Sequence, residues 1–149
     1  MSKQEFLNCK NKYVSGKLQN NMSYVISPNK FHNSCSIIIF VRAGTKHEND
    51  SNNGVAHFLE HMLFKGTKKY PTNLKINKRI DQICGSTNAG TTKNMTSYYI
   101  KLPAKYILHG LDVLKEIVFH ALLDKEEMEK EKKVVIEEIN KVFDDSDDL

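Results

Sequence analysis

The chain has 149 residues, of which 40% are hydrophobic and 27% are charged, and its formal net charge is +4. These values are typical of one globular domain with a hydrophobic core. They argue against a membrane protein, since the longest apolar run, residues 36–41, is too short to span a bilayer, and against a nucleic-acid-binding module, since the lysines are scattered rather than clustered with aromatic residues.

The first third of the chain predicts three β-strands. Residues 13–18 and 22–26 flank Gln19–Asn21, an arrangement that predicts a β-hairpin. The segment Cys35–Ala43 is almost uniformly apolar, which predicts a strand buried on both faces.

A polar loop leads from these strands into the first predicted helix, which covers Val55–Phe64. Asn52 or Asn53 is suited to cap its N-terminus, because a short polar side chain can accept a backbone N–H there. Gly66 is suited to terminate it.

The rest of the chain alternates between helices and strands. The predicted elements are a helix over 71–83, strands over 85–92 and 95–102, a helix over 103–122, and a helix over 124–143 that Asp124 caps. Strands followed by helices, twice in succession, favour an α+β fold in which helices pack on a largely antiparallel sheet. We expect residues 1–12 and the acidic stretch 144–149 to be frayed.

The first predicted helix carries the motif H-x-x-E-H at His57–His61. Residues four apart lie on one face of a helix, so both histidines can bind one Zn²⁺, with Glu60 close enough to deprotonate a metal-bound water. The other residues of the helix are mostly apolar, which predicts burial nearly all round. Unpaired ionisable groups would be costly there, and a shared metal would remove that cost. The alternative is two core histidines bonded to carbonyl oxygens, with Glu60 in a salt bridge.

A catalytic zinc site needs a third protein ligand, and the last predicted helix offers two candidates. Glu131 and Glu138 lie on one stripe together with Val135, whereas Glu137 lies ~100° away on the lysine-rich side. One glutamate of the pair can complete the metal site while the other holds a ligand imidazole. Alternatively, both form half-buried salt bridges with lysines.

With these residues assembled, the chain resembles the pitrilysin family of zinc endopeptidases, whose H-x-x-E-H members are called inverzincins. The stretch GVAHFLEHMLFKGTKKYP at residues 54–71 is similar to the processing-peptidase branch of that family. The resemblance implies that Glu138 is the third ligand, because its distance from His61 in sequence matches the family pattern. It also implies that Glu131 supports the site and that Glu60 is the general base.

A second motif resembles the same family. Gly85–Thr92 followed by Thr96–Tyr98 matches the family pattern G-x-x-N-A-x-T…T-x-Y. The resemblance implies a hairpin whose first strand is an edge beside the active site, where a peptide substrate adds as a β-strand. Asn88 and Ala89 are then expected to face the substrate backbone. An ordinary hairpin is the alternative explanation.

The resemblance extends over most of the chain and implies the metallohydrolase fold of pitrilysin-like peptidases. Because family domains continue past this length, we expect residues 1–149 to be a truncated, N-terminal part of one catalytic domain. The family also implies a second domain or a partner subunit that closes a chamber over the cleft.

We therefore predict a zinc metalloendopeptidase. An inactive or partner-dependent binding or structural subunit of a larger peptidase complex is the alternative. The N-terminal segment lacks the apolar core of a signal peptide and the arginines of a presequence, which favours the cytoplasm. The resemblance makes the mitochondrial matrix the alternative compartment.

Overall fold

The computed structural model describes residues 13–147 of the chain, and the side chains of residues 13–141. Strands and helices alternate along this part of the chain. The elements are β1 (Val14–Lys17), β2 (Ser23–Ile26), β3 (Ser34–Val41), α1 (Val55–Leu63), α2 (Asn73–Gln82), β4 (Ser86–Thr91), β5 (Thr96–Pro103), α3 (Ile107–Phe119) and α4 (Lys125–Asp147). All strand pairs are antiparallel, so the predicted α+β fold is confirmed.

The chain divides into two compact units, the first ending at Asn33 and the second beginning at Ser34. In the first unit, β1 and β2 form the predicted hairpin. The N–H of Leu18 donates to the carbonyl oxygen of Met22 at 2.8 Å. Asn21 closes the turn with φ of 65°, a left-handed conformation that asparagine tolerates better than most residues.

In the second unit, β5 lies between β3 and β4. Ile37 pairs with Ile100 and Ile39 pairs with Tyr98, so these side chains share one face of the sheet. The prediction that the β3 segment is buried on both faces is wrong, because Ile38 is 46% exposed and Phe40 is 63% exposed. The helices of this unit pack against the other face, and a strand covered on one side exposes every second residue.

The hydrophobic core lies between this sheet and helices α2 and α3. Gly110 lets α3 approach the sheet, since a Cβ atom there would lie 2.8 Å from Cδ2 of Leu102. The buried residues of the core are Leu63, Ile76, Ile80, Ile83, Tyr98, Ile100, Leu102, Val113, Leu114 and Ile117. This core supports α1, which carries the metal motif, and β4, which is the edge strand.

The N-terminus of α1 is capped by a side chain from the loop that precedes it. The predicted caps Asn52 and Asn53 are wrong, because Gly54 occupies the N-cap position with φ of 85° and has no side chain to accept a bond. The carboxylate of Glu48 instead accepts the N–H of Gly54 at 2.8 Å and that of Ala56 at 2.7 Å. A negative charge at this position also complements the helix dipole.

The C-terminus of α1 differs from the prediction as well. The helix ends at Leu63, with Phe64 as the C-cap in a right-handed conformation. Gly66 therefore does not terminate the helix. It is required for another reason, because a Cβ atom there would lie 2.6 Å from the carbonyl oxygen of Pro71.

The last two helices shift slightly from their predicted bounds. A short 3₁₀ turn over Ala104–Tyr106 precedes α3, which is therefore shorter than predicted. Asp124 caps α4 as predicted, since its Oδ1 accepts the N–H groups of Glu126 and Glu127 at 2.9 and 3.0 Å.

Helix α4 runs to Asp147, four residues past the predicted end at Phe143. The predicted fraying of residues 1–12 falls outside the described residues, as do residues 148 and 149. Within residues 13–147, no helix combines the length and the apolar character needed to cross a bilayer.

Candidate metal centre

Two crossing helices, α1 and α4, bring the candidate ligands together. α1 packs against α4 and against β4, and α4 runs past the side of α1 that carries the motif. Helical spacing places His57 and His61 one turn apart on that side. Glu138 reaches the pair from α4, over a sequence distance that only tertiary packing can bridge.

The three side chains form a small triangle of donor atoms. Nε2 of His57 lies 3.2 Å from Nε2 of His61. Oε2 of Glu138 lies 3.5 Å from Nε2 of His61 and 4.0 Å from Nε2 of His57. The ring planes of the two histidines are inclined by 83°, and the donor atoms of the three side chains all lie within 4.8 Å of one another.

These separations fit a zinc ion. Zinc binds imidazole nitrogen and carboxylate oxygen at about 2.0–2.2 Å in tetrahedral geometry, which places its ligand atoms about 3.3–3.6 Å apart. The observed separations of 3.2, 3.5 and 4.0 Å are close to that range. Two imidazoles with one carboxylate are also a donor set that zinc favours.

Glu131 approaches the same histidine from the opposite side. Its Oε1 lies 2.9 Å from Nδ1 of His61, and its Oε2 forms an ion pair with Nζ of Lys65. Both carboxylate oxygens are thus engaged away from the triangle, and Glu138 is the glutamate that faces the Nε2 atoms. Glu131 also forms the lysine salt bridge that was the alternative prediction, so the two interpretations of this residue are compatible.

Burial and neighbouring charges shift the pKa of Glu131 in opposite directions. Burial is the largest single influence and raises the pKa of this carboxyl, but the hydrogen bonds and charges of Lys65 and His61 together outweigh it, so that the pKa lies below its ordinary value. The side chain of Glu131 is 6% exposed and that of Glu138 is 47% exposed. Glu137 is exposed as well, in agreement with its predicted place on the surface.

Glu60 faces the hairpin formed by β4 and β5. Its Oε2 accepts a hydrogen bond from Oγ1 of Thr91 at 2.5 Å. Oγ1 of Thr96 lies 3.3 Å from that hydroxyl and donates to the carbonyl oxygen of Ala43 at 2.9 Å. Burial, with a smaller contribution from the charge of Glu60, raises the pKa of Tyr98 to about 12, so the phenol stays protonated at neutral pH.

Sequence reasoning assigned no role to Thr91, although the residue belongs to the N-A-x-T motif. The motif predicted a substrate-binding edge, whereas the structure adds a direct contact between its threonine and Glu60. Lys65 was also missed. Its spacing from His61, one helical turn, was the available signal.

The edge strand β4 lies beside this cluster. β4 pairs with β5 only, so within the described part of the second unit its other edge carries no partner strand. Asn88 is exposed, and its Oδ1 accepts the N–H of Ala89 at 2.9 Å. A groove of about 320 Å³ is lined by Glu60, His61, Phe64, Asn73, Asn77, Thr87, Asn88 and Ala89.

The prediction that α1 is buried nearly all round is wrong. Val55 is 48% exposed and Leu59 is 42% exposed. The side chain of His57 is 38% exposed. α4 and the sheet cover only one side of α1 in this unit, so its apolar residues are not all enclosed. The side chains of His61 and Glu131, which are 20% and 6% exposed, are therefore the most enclosed of these groups.

Comparison with known proteins gives concordant matches. The model of the family described as insulinase (peptidase family M16) matches residues 24–149. The uncharacterized zinc protease YmxG of Bacillus subtilis is 40% identical over 131 residues, which cover 88% of this chain and 32% of that protein. The β subunit of the rat (Rattus norvegicus) mitochondrial-processing peptidase is 36% identical over 118 residues, covering 79% of this chain and 24% of that protein.

A similar fold occurs in a solved structure. The crystal structure of pitrilysin superposes with a TM-score of 0.79 at 27% identity, covering 91% of this chain and 14% of that one. The chain thus spans about a third of the length of YmxG and smaller shares of the other two proteins.

Proposed function

This chain belongs to the insulinase family of peptidases, family M16, and from that premise we propose that it carries the active-site residues of a zinc-dependent endopeptidase. The observation that carries the proposal is the triangle of donor atoms from His57, His61 and Glu138, with sides of 3.2, 3.5 and 4.0 Å. The name of the bacterial relative, a zinc protease, supports the same metal and the same reaction.

In this proposal, His57, His61 and Glu138 bind the zinc ion. When bound, zinc supplies Lewis acidity toward a water molecule and toward a peptide carbonyl. Glu131 accepts the Nδ1–H of His61, an interaction that fixes the tautomer with a free lone pair on Nε2. Histidine ligands of zinc ordinarily have such a carboxylate or carbonyl partner.

Glu60 is the proposed general base. It takes a proton from the water that attacks the scissile carbonyl and then gives it to the leaving amine. Thr91 donates to Oε2 of Glu60, which leaves Oε1 of the carboxylate for the water. His57 and His61 flank Glu60 along α1, so the base and the metal donors share one rigid helix.

The proposed substrate is a peptide or protein that adds as a β-strand to the free edge of β4. Such addition uses backbone hydrogen bonds and therefore tolerates many side chains. In this proposal Asn88 and Ala89 contact the substrate backbone, which is supported by their lining the same groove as Glu60 and His61. A scissile bond in a strand bound there lies beside the proposed base.

A second candidate is a partner-dependent or inactive binding subunit of a larger peptidase complex. The mitochondrial relative favours it, because that protein is named as a subunit. In either case we propose a second domain or a partner chain that completes the cleft. We propose the cytoplasm as the compartment, with the mitochondrial matrix as the alternative that the same relative favours.

The test uses the substitution Glu60→Gln, which keeps the shape of the side chain and removes its basicity. We expect the variant to bind zinc as the unaltered protein does and to lose peptide cleavage by several orders of magnitude. Zinc content is measured by atomic absorption, and cleavage is measured with a fluorogenic peptide library. Equal cleavage by the two proteins would exclude Glu60 as the base, and cleavage by neither would favour the binding subunit.

A further inference from the structure

Lys65 lies just beyond the end of α1, between the candidate metal centre and the loop that follows it. It comes four residues after His61, and the C-cap residue Phe64 keeps a right-handed conformation with φ of −90°. One helical turn therefore separates the two side chains. Both contact the same partner, since His61 and Lys65 each bond to one oxygen of Glu131.

The backbone around Lys65 is held on both sides. Its own N–H donates to the carbonyl oxygen of Met62 at 3.1 Å, and the carbonyl oxygen of Gly66 accepts the N–H of Leu122 at 3.0 Å. The carbonyl oxygen of Phe64 accepts a hydrogen bond from Nδ2 of Asn73 at 3.0 Å. The backbone that carries the Lys65 side chain is thus held in place.

Without Lys65, Oε2 of Glu131 would have no bonding partner among the described residues. With Lys65 in place, the side chain of Glu131 is only 6% exposed, so few water molecules reach its oxygens. A buried carboxylate oxygen with no partner is costly, and the carboxylate relieves that cost by turning toward another donor or toward water. Turning disturbs its bond to Nδ1 of His61.

We propose that Lys65 is a positioning residue of the zinc site, which acts through Glu131. By holding Oε2 it orients the carboxylate so that Oε1 accepts the Nδ1–H of His61 and Nε2 of His61 faces His57 and Glu138. Its positive charge, together with that of a divalent ion, also balances the three carboxylates of Glu60, Glu131 and Glu138. This inference rests on the proposed function, because the zinc site is part of it.

The test compares zinc affinity, measured by competition with a chelator, in four forms of the full chain. We expect Lys65→Met to weaken zinc binding roughly tenfold, the lower end of the effects seen for residues that support a metal ligand. Lys65→Arg keeps a charged donor to the carboxylate and should retain most of the affinity. Lys132→Met is the matched control, since Lys132 is 50% exposed and pairs with Glu129 on the surface of α4.

Two further measurements separate positioning from a general loss of stability. The absorption spectrum of the Co²⁺-substituted protein should change in Lys65→Met but not in Lys132→Met, because it reports ligand geometry. In the Glu131→Gln background, Lys65→Met should cause little additional loss of affinity, since the route through Glu131 is already broken. This double variant also carries the test if Lys65→Met alone fails to fold, because it buries no unpaired charge.

Unchanged zinc affinity in Lys65→Met would overturn the inference while leaving the proposed function intact. Fully additive effects of Lys65→Met and Glu131→Gln would overturn it too, because Lys65 would then act by another route. Absence of zinc binding in the unaltered protein would overturn the proposed function and this inference together.

Discussion

Glu131 and Glu138 lie two helical turns apart on α4, yet they meet different nitrogens of one imidazole. Glu131 contacts Nδ1 of His61 at 2.9 Å, and Glu138 lies 3.5 Å from Nε2. Because the two ring nitrogens point in opposite directions, the same helix reaches both sides of His61. In our proposal the two glutamates therefore have different roles, set by the ring nitrogen that each one contacts, although their residue type and helical phase are the same.

The proposal that Glu138 is a ligand can be tested by comparing its substitution with that of the adjacent Glu137. We expect Glu138→Gln to weaken zinc binding by several orders of magnitude, because a neutral amide is a poor replacement for a carboxylate ligand. Glu137→Gln removes the same charge from the next residue and should leave affinity unchanged, since Glu137 is exposed. Chelator competition measures both. Equal losses in the two variants would indicate a general charge effect and exclude a specific ligand.

A substitution of Thr91 tests whether its hydrogen bond orients the proposed base Glu60. Thr91→Val keeps the shape of the side chain and removes the hydroxyl that donates to Oε2 of Glu60. We expect kcat to fall by about tenfold or more with little change in KM or zinc content, because an unrestrained base loses orientation. Thr91→Ser restores the donor and should recover most of the rate. A change in KM alone would point instead to a role in substrate binding.

At the level of elements, α1 has functional side chains in its centre and unusual supports at both ends. Glu48 caps its N-terminus from a preceding loop, and Lys65 ties its C-terminus to Glu131 on α4. A nine-residue helix gains little stability by itself, so tertiary contacts hold it. The metal donors are consequently placed by contacts that lie outside the motif.

The cap of α1 predicts a measurable loss of stability. Glu48→Gln weakens the acceptor for two N–H groups and removes the charge that complements the helix dipole. We therefore expect the free energy of unfolding to fall by about 1 kcal/mol. Asp50→Asn removes a charge from the same loop and serves as the control, with an expected change near zero. Urea denaturation of the metal-free protein measures both. A larger loss in the control variant would contradict the capping role.

At the level of the whole molecule, apolar side chains are exposed on α1 and on the face of the sheet that the helices leave uncovered. Leu59 on α1 is 42% exposed, and Phe40 on β3 is 63% exposed. The relatives that match this chain are longer, and it spans 32% of YmxG and 24% of the mitochondrial subunit. In our proposal, metal binding needs only residues of this chain, whereas a closed cleft also needs the proposed second domain or partner chain.

Because the metal site and the closed cleft draw on different parts of the protein in our proposal, zinc binding and turnover should respond differently to an added second domain or partner chain. We expect the chain to bind zinc with the same affinity with and without a second domain or partner subunit, and to cleave peptide at least tenfold faster with it, because closure excludes water and orients the substrate. The measurement is zinc affinity and initial rate for both preparations. The Glu60→Gln chain with the same partner is the control. Equal rates with and without the partner would contradict the expectation.

The sequence by itself determined the local chemistry of the site. His57, Glu60 and His61 share one side of α1 because helical periodicity is a short-range property, and the same periodicity separated Glu131 and Glu138 from Glu137. The antiparallel pairs and the cap at Asp124 were predictable for similar reasons, since turns and caps depend on neighbouring residues.

Only the tertiary structure decided which side chains from distant parts of the chain meet. The contacts of Glu131 with Lys65, of Thr91 with Glu60, and of Glu48 with the start of α1 depend on how α1, α4 and the sheet pack. The exposure of Phe40 depends on which face of the sheet the helices cover. Periodicity gives the phase of a side chain around its own element, but packing of the core sets the position of that element against the others.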